Sequence, residues 1–196
     1  MILKICGITN QEDADAAAEG GANAIGFNFY PSSPRFIAPE RAAGIFTPAG
    51  MRRVGVFVNE PRTHVETLAR VAALHVAQLH GSEQFADYPA GSAVWKAVRV
   101  TENFDLSQFE ECPAEALLLD GPASGEPFDW GMLPAAPRPQ RIILAGGLDA
   151  SNVARAIALV HPWGVDACSR IECAPGKKDH DKMTAFLEAA RAALGA

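Results

Sequence analysis

Three side chains suited to moving protons, Cys6, Asp120 and Asp166, each stand at or near the end of a short apolar run in this sequence. Cys6 closes residues 2–6 and is followed at once by Gly7, Asp120 closes ALLLD, and Asp166 lies two residues before Cys168 in GVDAC. A cysteine acts as a base only as its thiolate, which nearby cations favour. An aspartate acts as an acid only where its surroundings keep the proton on. A single cysteine in such a place is equally well a small buried hydrophobe, so the reading rests on its company. Side chains alternate along a strand. Lys4 therefore shares a face with Cys6, Gln78 with His80, and Asp166 with Cys168, while Asp120 follows Leu118 by two. Each buried ion costs roughly several kcal/mol unless paired, so polar groups that converge at one end of apolar strands mark a site.

A second group of residues points to an anion. Ala145-Gly146-Gly147 ends one apolar run and Ser169 ends the next. Missing side chains let backbone amides approach a phosphate, and the loops after the last two strands of a parallel barrel are its habitual phosphate site. A glycine pair alone reads as a plain turn. Ser169 on the neighbouring strand moves the balance to phosphate.

The elements that must position these residues alternate. Strands are expected at 3–8, 24–30, 53–59, 76–81, 93–100, 116–121, 141–148 and 164–172. Helices are expected at 13–19, 39–46, 63–73, 151–160 and 181–194, the last with Met183, Phe186, Leu187, Ala190 and Leu194 at helical spacing. Thr9 followed by Glu12 reads as a capping box at the first helix. The links after strands four, five and six are short or poorly helical. Eight strands with helical crossovers predict a compact single (β/α)8 TIM barrel over residues 1–196, smaller than the about 250 residues typical of the fold. An open doubly wound sheet is the structural alternative.

Composition narrows the function. The chain is 48% hydrophobic and 20% charged with a formal net charge of -6. That acidic balance offers no footprint for nucleic acid. No apolar run approaches the roughly 18 residues of a membrane span, and the N-terminus has no signal-peptide pattern. Four cysteines, at 6, 112, 168 and 173, form no C-x-x-C pair. They suit a reduced cytoplasmic protein without disulfides or a zinc site. Both a monomer and a homodimer are compatible with the outer helices.

With these residues in view, KICGIT, GFNFYPSSPRFI, VGVFVN, VAQLHG, LLLDG followed by FDW, LAGGL and GVDACSRIE–APGKKD resemble phosphoribosylanthranilate isomerase in matching order from residue 3 to about 182. The resemblance implies an Amadori rearrangement of a phosphorylated aminosugar in tryptophan biosynthesis, with no cofactor and no metal. It implies Cys6 as general base and Asp120 as general acid. It implies Arg35 on the anthranilate carboxylate, Asp166 lining the sugar site, Gln78 and His80 at the substrate-facing end of strand four, and Gly146, Gly147 and Ser169 on the phosphate. Two departures stand out. Arg170 occupies a position where the family leads one to expect glycine, with Cys168 in place of a small hydroxyl residue, and we read Arg170 as a further cation for the phosphate. The loop GPASGEPFDW after Asp120 is shorter and poorer in glycine than usual.

Other readings use the same residues differently. A pentose-phosphate epimerase needs a His and Asp metal cluster at the strand tips, where only His80 is well placed. A histidine-pathway isomerase pairs two aspartates and has no use for Cys6. A barrel kept only for binding would be expected to have lost Cys6, Asp120 or Arg35. His64, His75, His161 and His180 read as surface or capping residues, and Lys177-Lys178 as a solvated turn.

Overall fold

A computed structural model describes residues 1–123, 125–133 and 140–194. Eight parallel strands close into a barrel: β1 Ile2–Cys6, β2 Ala24–Asn28, β3 Arg52–Phe57, β4 Val76–Leu79, β5 Ala93–Arg99, β6 Ala116–Asp120, β7 Ile142–Leu144 and β8 Gly164–Ala167. Each strand pairs with its neighbour in sequence, and β1 closes the ring on β8 in the register Ile2↔Gly164 to Ile5↔Ala167. Barrel strands are covered on both faces, which is why their sequences are almost continuously apolar.

The two faces carry different loads. Outward residues such as Leu3, Ile5, Ile25, Leu117, Leu119 and Val165 join the large cluster under the helices. Inward residues Ile2, Ala24, Val54, Val76, Trp95, Ala116, Leu118 and Ile143 fill the barrel floor. Along β1 the inward column runs Ile2, Lys4, Cys6, so one strand goes from plug to ion to thiol on its way to the C-terminal mouth.

Among the described residues five α-helices surround the strands: α1 Gln11–Glu19, α2 Pro39–Ala43, α3 Arg62–Val71, α4 Val153–Val160 and α5 His180–Leu194. Among the described residues the links after β4, β5 and β6 contain only 3-10 turns, at Phe85–Asp87, Leu106–Phe109 and Trp130–Met132. The expected short crossovers are therefore present, and they account for the compact chain. No helix among the described residues is long and apolar enough to cross a membrane.

The structure corrects four expectations. Thr9 does not cap α1. Asn10 does, its side chain accepting from the Asp13 amide at 2.8 Å, while the Thr9 hydroxyl donates to the Gly176 carbonyl. The strands end earlier than their apolar patterns suggest. Gly7 leaves β1 at φ 76°, and Gly146 and Gly147 leave the end of β7 at φ 78° and 65°, conformations that glycine adopts without strain. The segment read as the end of the eighth strand instead turns at Cys168 into a 3-10 turn, Ser169–Ile171. It then enters a small antiparallel hairpin of β9 Glu172–Ala174 and β10 Lys177–Lys178. Lys178 in that hairpin is buried, so the two lysines are not a solvated turn.

Candidate active site

All ten residues singled out from the sequence line one cleft at the C-terminal mouth of the barrel. Cys6, Gln78, His80, Asp120 and Asp166 are inward positions at or just past the ends of β1, β4, β6 and β8. Gly146, Gly147, Ser169 and Arg170 come from the loops after β7 and β8, and Arg35 reaches over from the loop after β2.

At the base of the cleft Lys4 donates to Asp166 Oδ2 at 2.8 Å, with the lysine wholly buried. Burial opposes the charge on Lys4, but Asp166 and Cys6 together hold its pKa above the ordinary lysine range. Asp166 has the reverse balance. Burial, together with Cys6 and Asp120 as negative neighbours, outweighs Lys4 and pushes its carboxyl up to about 7. One cation is thus shared between an aspartate and a thiol, and the aspartate is the member that gives way.

Space for this group comes from β2. A Cβ on Gly26 would lie 2.8 Å from Cys6 Sγ and 3.2 Å from Lys4 Nζ. A hydrogen bond from the Cys168 thiol holds the Cys6 pKa well below the usual thiol range against the opposing effect of burial, and Lys4 and Lys178 add to it. Cys168 is pushed up in turn, because its proton is engaged on Cys6 and because it is buried. Across the cleft, burial raises Asp120 against the pull of the Gly121 amide, which donates to Oδ1 at 2.9 Å, and of Arg99. The thiol and the carboxyl are therefore displaced in opposite directions, the pattern of an acid–base pair.

The remaining groups are fixed or left open in informative ways. Gln78 Nε2 lies 2.5 Å from His80 Nε2. Burial, with Lys4 and Lys96 nearby, lowers the His80 pKa to about 4, so the ring is neutral at pH 7. Gln78 Oε1 and Asp166 Oδ1 are buried acceptors without a partner among the described residues. Buried polar atoms are normally hydrogen-bonded, so these two are available to a ligand's hydroxyl groups. Arg35 binds Glu172 through Nε and Nη2 at 2.6–3.1 Å, and among the described residues its Nη1 has no partner. Glu172 also receives Lys178 Nζ at 2.8 Å.

The glycine pair serves the backbone first. A Cβ on Gly146 would meet Gly121 N at 2.4 Å, and one on Gly147 would meet Gly125 O at 2.6 Å. The loop after β6 packs where side chains would have been, which brings Gly125 against Ser169 Oγ. Among the described residues the amides of Gly146 and Gly147 have no hydrogen-bond acceptor. Arg170 is 42% exposed at the rim, donating to Asp149 Oδ2 at 3.0 Å and to Gly125 O at 3.1 Å. It clips the loop after β6 to Asp149 in the β7–α4 link, and a phosphate would have to compete with Asp149 for it. Ser124, within the shortened loop, lies outside the described residues.

Sequence reasoning missed Lys178 and Glu172. A Gly-Lys-Lys-Asp stretch carries no apolar pattern, and only the hairpin pairing folds Lys178 inward against Asp13, whose carboxylate accepts from the Lys178 amide at 2.9 Å. Of the histidines, His161 closes α4 in the left-handed region and His75 Nδ1 accepts from the Arg53 amide, as capping and structural residues would.

The Lys4–Asp166 pair yields a stability prediction. Lys4→Met keeps the length of the side chain and leaves Asp166 buried without its cation, a change that costs about 3 kcal/mol when a buried pair is broken. Urea unfolding should show that loss, and Lys4→Met/Asp166→Asn should recover much of it. The Asp166 pKa in the folded single variant lies further above its unfolded value. The folded state then binds the extra proton, and the deficit should shrink as pH falls.

The family model described as N-(5'phosphoribosyl)anthranilate (PRA) isomerase matches residues 3–189. The N-(5'-phosphoribosyl)anthranilate isomerase of Solibacter usitatus is 67% identical over 202 aligned positions, covering 100% of both chains. The crystal structure of phosphoribosyl anthranilate isomerase from Thermotoga maritima superposes with a TM-score of 0.91 at 41% identity, covering 98% of this chain and 100% of that one. A phosphoribosyl anthranilate isomerase in complex with reduced 1-(o-carboxyphenylamino)-1-deoxyribulose 5-phosphate superposes with a TM-score of 0.87 at 39% identity, with 98% and 100% covered. By the match along its length and the agreement of its fold, the chain belongs to the N-(5'-phosphoribosyl)anthranilate isomerase family.

Proposed function

We propose that this chain, working as one barrel, converts N-(5'-phosphoribosyl)anthranilate to 1-(2-carboxyphenylamino)-1-deoxy-D-ribulose 5-phosphate, the third step of tryptophan biosynthesis, by general acid–base catalysis. The observation that carries the mechanism is the pairing of a thiol of lowered pKa with a carboxyl of raised pKa in one cleft.

Asp120 in its acid form gives a proton to the ring oxygen of the ribose. The C1'–O bond breaks as the anthranilate nitrogen lone pair forms a C1'=N bond. The cationic imine makes the C2' hydrogen acidic, and the Cys6 thiolate takes it, leaving an enol conjugated to the nitrogen. Loss of the enol proton and protonation of C1' give the ketone. Cys6 has then gained one proton and Asp120 has lost one, and exchange with solvent restores both.

Binding follows from the open valences. Arg35, held in place by Glu172, presents Nη1 to the anthranilate carboxylate. Asp166 Oδ1 and Gln78 Oε1 accept from sugar hydroxyls beside the neutral His80. The amides of Gly146 and Gly147, which have no acceptor among the described residues, suit the phosphate with the Ser169 hydroxyl, and Arg170 supports that loop from the rim. The free cysteines fit a reducing cytoplasm.

The test is to add purified protein, in a metal chelator, to freshly generated phosphoribosylanthranilate and follow the loss of anthranilate fluorescence. Loss faster than spontaneous hydrolysis supports the reading, and no loss from a folded protein overturns it. Arg35→Ala should raise KM about 10- to 100-fold with a smaller effect on kcat, since a hydrogen bond to a charged group contributes about 1.5–3 kcal/mol. Steady-state kinetics in the same assay checks this, and an unchanged KM removes Arg35 from the binding site.

A further inference from the structure

The reaction proposed above employs one cysteine, yet the cleft holds two thiols side by side. Cys6 ends β1, and Cys168 stands one step beyond the last β1–β8 pair, Ile5↔Ala167. Each cysteine directly follows its member of that pair, and both line the cleft at the mouth. Their faces agree as well, since Lys4 and Asp166, two residues earlier on each strand, meet inside the barrel at 2.8 Å. Adjacent strands run about 4.7–4.9 Å apart, within the roughly 4.4–6.8 Å between Cα atoms that a disulfide spans. A Cβ on Gly7, the residue after Cys6, would lie 3.2 Å from Cys168 Sγ, which places the second sulfur beside the end of β1.

Each sulfur also has its own cation. Lys4 Nζ stands with Cys6 Sγ against Gly26. Lys178 Nζ lies 3.9 Å from Cys168 Sγ and 3.4 Å from its carbonyl oxygen, with Glu172 fixing the ammonium at 2.8 Å. Both thiols line the open cleft, where a small oxidant can reach them. Among the described residues Cys112 and Cys173 have no such surroundings. Cys112 contacts the Tyr88 hydroxyl, and Cys173 faces the carbonyls of its own hairpin.

We propose that Cys6 and Cys168 form a peroxide-sensitive dithiol, in which Cys6 is oxidised first and Cys168 resolves it to a disulfide that reversibly removes the catalytic base. The Cys6 thiolate attacks one oxygen of hydrogen peroxide. The O–O bond breaks, hydroxide leaves, and Cys6 becomes a sulfenic acid. Cys168 then attacks that sulfur, forming the S–S bond and expelling the sulfenic oxygen as a second hydroxide; the two hydroxides take up the two protons released by the thiols and leave as two waters. Two thiols and one peroxide give one disulfide and two waters, the sulfurs losing two electrons and the peroxide gaining them. Lys178 favours the attacking form of Cys168, and resolution protects Cys6 from irreversible over-oxidation.

That Cys6 oxidation stops turnover rests on its reading as the base, whereas the disulfide itself does not, so the test reads the two separately. The full-length reduced protein is treated with equimolar hydrogen peroxide in chelator, remaining thiols are alkylated, and tryptic peptides are analysed by mass. Residues 5–35 carry only Cys6 and residues 156–170 carry only Cys168, so a linked pair lacking two hydrogens identifies the bond. The expected result is that linked pair, within one chain, forming in step with at least a 10-fold loss of isomerase activity that dithiothreitol restores. Cys173→Ser should behave like the parent. Cys168→Ser should form no link and should instead accumulate dimedone-trappable sulfenic acid on Cys6, with loss that dithiothreitol no longer fully reverses. Peroxide treatment that over-oxidises Cys6 without forming the link, or that links other cysteines, overturns the dithiol. A complete link with activity intact overturns the switch and the role of Cys6 as base, while leaving the bond established.

Discussion

Cys6→Ser is expected to lower kcat by at least 10²- to 10⁴-fold, the usual contribution of a positioned base, with KM little changed. A serine hydroxyl has no accessible anion near neutral pH, so the hydrogen bond from Cys168 and the field of Lys4 have no charge to stabilise. Serine is close in size to cysteine, and Gly26 leaves room around it, so the fold should persist with an unchanged urea midpoint. The measurement is the fluorescence assay, run alongside unfolding to separate lost chemistry from lost structure. Turnover near that of the parent would take Cys6 out of the reaction. The pH profile of Cys6→Ser carries a second signature. For the parent, kcat/KM rises as Cys6 loses its proton, and that rising limb should be absent from whatever activity the variant keeps.

The barrel was legible because its strands obey one rule, burial on both faces, which leaves near-continuous apolar runs such as ALLLD and VAQL. The candidate site was legible because polar residues break that rule at the tips. Leu119 and Asp120 differ in kind, and the structure gathers the second with the other polar tips in one cleft. What the sequence hid was set by backbone geometry and by distant pairing. Gly7, Gly146 and Gly147 end strands through positive φ while the apolar pattern runs on, so the expected strands overran the mouth and placed chemistry inside strands that structure places in loops. Lys178 and Glu172 are brought to Arg35 and Cys168 by a hairpin of strands only two or three residues long, too short for any period to register. Arg170 illustrates the same limit: its charge was visible, but its engagement with Asp149 depends on how two loops meet.

Asp120→Asn is the second large effect and the sharper test of the acid. The amide preserves shape and can still accept from the Gly121 amide at the end of β6, so neither the strand nor its packing on Gly146 is disturbed. What it lacks is a proton to give, and kcat should fall by about 10²- to 10⁴-fold. The sign of the pH dependence follows from the raised Asp120 pKa. The carboxyl works when protonated, so kcat/KM of the parent falls as pH rises through that pKa, and burial moves the fall toward neutral pH. An asparagine does not titrate. The falling limb should therefore vanish in Asp120→Asn while the rising limb set by Cys6 remains, the mirror image of Cys6→Ser. Ring opening is the step that needs the acid, so a substrate supplied already opened, as the imine, would bypass the defect far more than it would bypass the loss of Cys6. If Asp120→Asn kept both limbs and near-normal turnover, another group would be the acid. The raised carboxyl would then be the consequence of burial beside Cys6, with no part in the proton transfer.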